Sequence, residues 1–346
     1  MSERRIYLDR STGEDRGVVT LDGRPERLII RRDDDDQRLM LGARLVARVA
    51  SVEPAIGSAF LDLGGGLQAM LPFKSEARPV RGSALTVEIR SEPRRGKLAV
   101  VRVVGEGQGP PRMLEGPPDA AEILRSIVRD VDLTVGKAAR AVADEAEAEV
   151  MATVHPLPGG GTIAIEPTRA LTAIDVDVGE RKGADAKRVT RQTNLVALGE
   201  SARLLRLKGL GGLVIVDLAG RGHDGKALMA AARAAFGPDN PGVAIGPVGR
   251  FGTMELSIPR RTRPVGEVLC DDSGVPSDRS LAQQLMRRLE DEAQAQPGAR
   301  LNAACSPAVA RAAERLLPVL AQRFGARFAL TATADLPRDR LGVSAA

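Results

Sequence analysis

The sequence predicts an α+β fold with a small closed β-barrel in its first third. Three observations predict it. Five short strand-like runs crowd into residues 39–104, with Gly or Pro turns between them. Beyond residue 150, strand runs alternate with helical ones, which implies an α/β layer. From about residue 278 the tail reads helix, strand, helix, strand, a small α/β appendage.

Each element follows from its pattern. Residues 5–31 alternate and turn (RIYLDR, GVVTLDG, ERLIIRR), as short strands joined by turns such as Asp22-Gly23 do. The acidic run Asp33 to Asp36 reads as a solvated loop, because four consecutive carboxylates point in different directions and make a poor metal site. GARLVARVASV, SAFLDLG, LQAMLPF, ALTVEIRS and KLAVVRVV are the barrel strands, and their number and brevity suggest the OB type. Residues 105–118 are rich in Gly and Pro and read as a linker, and 119–150, rich in Ala and Glu, as helical. GGGTIAIEP and ALTAIDVDVG read as paired strands. Residues 185–208 read as a helix, with Leu195, Leu198, Ala202 and Leu205 at helical spacing. GLVIVDL is a buried-strand run, 225–236 a short helix and GVAIGPV another strand. In the tail, SLAQQLMRRLEDEAQ and PAVARAAERLLPVLAQRF are helices, and ARLNAAC and RFALTATAD strands.

Composition narrows the function. The 346 residues carry a formal charge of +5, which favours polyanionic partners such as nucleic acid, although an Arg-rich solvated surface gives the same balance. Aromatics are only 2%, so the core is aliphatic. Cys270 and Cys305 form no CxxC pair for a structural zinc site; a single disulfide stays open, and two small buried hydrophobes is the plainer reading. The N-terminus lacks the apolar core of a signal peptide, and no run of eighteen apolar residues occurs. We expect a cytoplasmic protein with no membrane partner.

Only His155 and His223 are present, so a His-ligated metal or a His-based triad is hard to build, and a His near Pro or Gly reads as a surface residue. Carboxylates are the better candidates. Asp175 lies in a strand rich in Ile and Val, and Asp217 ends an apolar strand, where α/β folds place their sites. Asp177, two residues from Asp175, projects from the same face. Paired carboxylates suit a hard cation such as Mg²⁺; alternatively each Asp merely faces solvent. In the barrel, Phe60 with Lys74, Arg90, Arg94, Arg95 and Lys97 nearby fits single-strand binding by stacking and charge. Phe60 as plain core is the competing reading, and Phe73 lies at a strand end.

Three runs then carry a resemblance. GGGTIAIEPTRALTAIDVDVG, TNLVALGESARLLRLKGLGGLVIVDL and GRFGTMELSIPRR resemble, in order, the catalytic core of the ribonuclease E/G family. The resemblance implies that Asp175 and Asp217 bind a catalytic Mg²⁺, that Asp177 stands where the family usually has Asn, and that Phe60 and Lys97 contact RNA. Met70 replaces a second family aromatic. It also implies a ribonuclease H-like catalytic domain (1–38 and 119–265) with an inserted OB-type barrel (39–104), a linker (105–118) and a small C-terminal α/β domain (278–342). The implied activity is single-strand RNA endonuclease, leaving 5′-phosphate and 3′-hydroxyl ends, with no DNA substrate expected and a homo-oligomer open. Three family features have no counterpart: the GLIVRTA segment that senses a 5′-monophosphate, the CPxC zinc link, and the acid of DFIDM, which reads DLAGR here. A catalytically weak or inactive RNA-binding protein is therefore the alternative; survival of both aspartates favours the enzyme.

Overall fold

The computed structural model describes residues 3–75, 78–179, 186–237 and 242–345. The first three runs form an antiparallel meander, β1 (Arg4–Ser11), β2 (Glu14–Leu21) and β3 (Arg24–Arg32). Asp22 and Gly23 both take positive φ, 50° and 80°, the twist that a tight hairpin needs.

The barrel follows: β4 (Arg44–Glu53), β5 (Ser58–Gly64), β6 (Leu67–Pro72), β7 (Ala84–Ser91) and β8 (Ala99–Glu106). The pairing runs β4–β5–β6–β8–β7 and returns to β4, so the barrel is closed and five strands lose their free edges. Alternate residues such as Ala59, Leu61 and Leu63 fill its interior. Residues 105–118 are more than a linker, because Arg112–Glu115 forms β9 and pairs with β4. Gly and Pro mark the bends on either side of that strand.

The stretch 119–150 is not one helix. A reciprocal capping box between Asp119 and Glu122 starts α1 (Ala120–Ile127). The chain then turns at Asp130 and forms β10 (Leu133–Val135), which lies parallel beside β1. The β-branched residues of LTV are claimed by that sheet edge. Gly136, at φ +77°, opens α2 (Lys137–Met151). The N-terminal sheet thus has the order β10-β1-β2-β3.

A second sheet is built from β11 (Val154–Pro156), β12 (Thr162–Pro167), β13 (Thr172–Asp177), β14 (Gly212–Asp217), β15 (Ala244–Val248) and β16 (Thr253–Ile258), in the order β11-β12-β13-β14-β16-β15. Helices α3 (Ala186–Lys208) and α4 (Gly225–Phe236) join its strands. Alternation decides the faces: Ile174, Val176, Val214 and Val216 are buried, while the residues between them look outward. The aspartates therefore lie on a sheet separate from the one formed by the first three strands. His155 is a correction too. It sits on β11 at 4% exposure rather than on a surface loop, and burial followed by the nearby Lys208 ammonium lowers its pKa.

The tail comprises α5 (Val265–Leu269), α6 (Asp278–Ala295), β17 (Leu301–Cys305), α7 (Pro307–Ala313), α8 (Leu317–Phe324), β18 (Phe328–Ala332) and β19 (Gly342–Ala345). The run read as one helix splits at Pro318, which lacks the N–H to continue a helix but fits the first turn of α8. Cys305 is buried and both cysteines are free. The acidic loop is not simply solvated: Asp34 pairs with Arg279 and Arg315, and Asp35 accepts from Arg279 at 2.9 Å. Deeper in, Glu14 accepts from Arg32 and Arg287, each at 2.6 Å, and ties α6 to β2. Among the described residues no helix is long and apolar enough to cross a membrane.

Candidate active site

The site begins with strand register. Parallel pairing of β13 with β14 places Asp175 directly beside Asp217. On the outer flanks Ala164 of β12 faces Asp175, and Thr253 of β16 faces Asp217. Neighbouring strands are about 4.8 Å apart, so the two carboxylates stand side by side. Both are exposed, on the face away from the packed helices. Two adjacent oxygen donors facing solvent fit a hard divalent cation that keeps several waters. Among the described residues no cluster of three or more His, Cys, Asp or Glu is placed to hold a metal.

Asp177 lies on the same face, one pleat further on. Its row contains Thr162 of β12, but β14 has already ended at Asp217. One of its oxygens is occupied, since Oδ1 accepts from the Gly179 N–H at 2.8 Å. Gly161, at φ +87°, lets the start of β12 pass close by; a Cβ there would lie 2.4 Å from the Asp177 carbonyl oxygen.

The loop after Asp217 is fixed by residues that the sequence did not single out. Asn194 donates Nδ2 to the Ala219 carbonyl and accepts the Ala219 N–H through Oδ1, both at 3.0 Å. The Leu218 N–H donates to the Gly252 carbonyl at 3.1 Å. A signal for Asn194 did exist: it is a polar residue, 2% exposed, one turn before the apolar Ala197 and Leu198 on α3. His223 lies beside Gly252, and its buried Nε2 has no hydrogen-bond partner.

The barrel residues form a second group. Phe60 opposes Met70, and Met70 opposes Val100, in one row across β5, β6 and β8. The flanking Ala59 and Leu61 are buried inside, so Phe60 belongs to the outer face and is half-buried there. Lys97 is exposed in the β7–β8 connection, and Lys74 is exposed beyond β6. Two of the arginines nearby are engaged: Arg90 lies 3.8 Å from Glu88, and the Arg95 guanidinium lies 3.1 Å from Asp272 while its backbone N–H donates to Glu267. Burial, then the like charge of Arg260, lowers the pKa of Arg94.

Register brings Asp175 and Asp217 together, whereas Lys97 lies in the β7–β8 connection and off the row that carries Phe60. The barrel docks through Glu92, which donates its N–H to the Arg261 carbonyl at 2.8 Å and accepts from the Arg263 N–H at 2.9 Å. Those residues follow Ile258, at the far end of β16 from Thr253 and Asp217. Extended chain of that length spans roughly 20 Å.

Residues 123–261 match the Ribonuclease E/G family. The chain is similar to ribonuclease E of Haemophilus influenzae, 37% identical over 147 residues, and to ribonuclease E of Escherichia coli, 35% identical over 147 residues. A chloroplastic ribonuclease E/G-like protein of Arabidopsis thaliana is 31% identical over 114 residues. The first two alignments take in 40% of this chain but only 16% and 14% of those relatives; the third takes in 32% and 11%. The matched segment, residues 123–261, contains Asp175, Asp177 and Asp217, and the chain spans less than a fifth of the length of these relatives.

Proposed function

We propose that this protein is a divalent-metal-dependent endoribonuclease that cuts single-stranded RNA. The observation that carries the reading is the side-by-side register of Asp175 and Asp217 inside the segment that matches the family. Mg²⁺ bound there would activate water and neutralise charge on a phosphodiester. Asp175 and Asp217 hold that ion from adjacent strands, and Asp177 adds a negative charge one pleat away. The open sheet face leaves the phosphate backbone free to approach. Phe60 and Lys97 hold the strand at a distance, by stacking and by charge.

The same reading extends to the fold. A three-stranded meander with a parallel fourth strand beside β1 supports a ribonuclease H-like assignment for the N-terminal sheet, with the barrel inserted between β3 and α1. Incubating the purified protein with a labelled single-stranded RNA, with and without Mg²⁺, tests the activity. Mg²⁺-dependent internal cuts are expected. Intact RNA under both conditions would leave only a binding protein.

A further inference from the structure

Phe251 is the most exposed large apolar side chain among the described residues, at 78%. It stands in the turn between β15 and β16, with Gly249 and Gly252 on either side of the Arg250-Phe251 pair. The turn is held firmly. Gly249 donates to the Thr253 carbonyl at 2.8 Å, and Gly252 donates to the Gly249 carbonyl at 3.1 Å. A third bond, from Leu218 to Gly252, fastens the turn to the residue after Asp217.

Sheet geometry relates this ring to the carboxylates. Thr253 is the register partner of Asp217. Burial keeps alternating past it: Met254 buried, Thr253 half-buried, Gly252 buried, Phe251 exposed. Phe251 is exposed in the turn, two residues before Thr253, the register partner of Asp217. Two residues of chain span at most about 7 Å, which keeps the ring close to the strand row that carries Asp217. The Arg250 guanidinium covers one side of the ring, 4.6 Å from its centroid. Among the described residues, Arg250 has no ion-pair partner. A rigidly mounted aromatic beside an unpaired guanidinium is the combination that holds an unpaired base and its phosphate.

We infer that Phe251 stacks a base of the RNA next to the phosphate held at Asp175 and Asp217, with Arg250 pairing with the backbone. This rests on the proposed nuclease reading for its substrate. Phe251 is thus a positioning residue that acts on the nucleotide and leaves the chemistry to the carboxylates.

The test uses the full chain and a fluorescent single-stranded oligoribonucleotide. Binding is measured in EDTA and cleavage in Mg²⁺. Phe251→Ala is expected to weaken binding by about fivefold to a hundredfold, the effect of one lost stacked base. Phe251→Trp keeps the affinity, and Arg250→Gln flattens the salt dependence. The ring is exposed, so Phe251→Ala melts as the parent does. Weaker binding by Phe251→Ala, with no cleavage by any form, upholds the stacking and removes the nuclease reading. Normal binding and cutting by Phe251→Ala overturns the stacking and leaves the nuclease reading intact. Loss of self-association by light scattering, with RNA binding unchanged, also overturns it and makes the ring a protein contact. A parent chain that neither binds nor cuts RNA overturns both.

Discussion

Asp175 and Asp217 stand directly opposite each other in the register of the parallel strands β13 and β14, both exposed on one face of the sheet. The burial of Ile174, Val176, Val214 and Val216 behind them fixes that orientation, because a slip of one residue would turn each carboxylate into the core. We expect Asp175→Asn and Asp217→Asn each to reduce Mg²⁺-dependent cleavage by more than about a hundredfold. Both side chains are exposed, so stability should move by less than about 0.5 kcal/mol. Parallel cleavage assays and thermal melts check this; equal cutting by both variants would remove the carboxylates from the reaction. Asp177→Asn should cost less than either, since one of its oxygens already serves Gly179.

Phe60 gives a separate prediction. It is half-buried on the outer face of the barrel and lies opposite Met70. Phe60→Ala should weaken single-strand RNA binding by about 1–3 kcal/mol. A core Phe would instead cost about 3–5 kcal/mol of stability on truncation. Binding and melting measured on one preparation separate the two; a low melt with unchanged affinity would mean that the ring is structural.

The docking of the tail rests on Glu14, which is 1% exposed and serves both Arg32 and Arg287. Glu14→Ala leaves two buried guanidinium groups without that partner. Breaking a buried pair from one side typically costs about 3–5 kcal/mol. Glu3→Ala, which breaks an exposed, solvent-screened pair with Arg5, should leave stability close to that of the parent. Urea titrations of the two variants make the comparison, and similar midpoints would refute it.

His155 predicts a pH effect. Burial, with the Lys208 charge second, holds its folded pKa below 6.5. As pH falls through 6.5 the unfolded chain takes up a proton that the folded chain refuses. Stability is therefore present above that pH and declines until the folded pKa is passed. Between about pH 7.5 and 5.5 the parent should lose more stability than His155→Gln. Identical losses would show that the imidazole does not titrate differently on folding.

Much of the protein is written locally. The barrel strands, the Asp22-Gly23 turn, α3 and the paired strands around Asp175 follow from alternation, helical spacing and turn chemistry, all of which act between near neighbours. So does the choice of Asp175 and Asp217, since a carboxylate in or ending an apolar strand is visible without coordinates. What the sequence left out is set by distant partners. Residues 112–115 become a strand because β4 offers them an edge, and 133–135 because β1 does. The acidic loop is held by arginines roughly 250 residues away. Asn194 reaches the loop after Asp217, and His223 lies beside Gly252, only when α3 and the β15–β16 turn pack beside the end of β14. Backbone pairing and buried charge depend on which surfaces meet, and local sequence carries no record of that until the chain has folded.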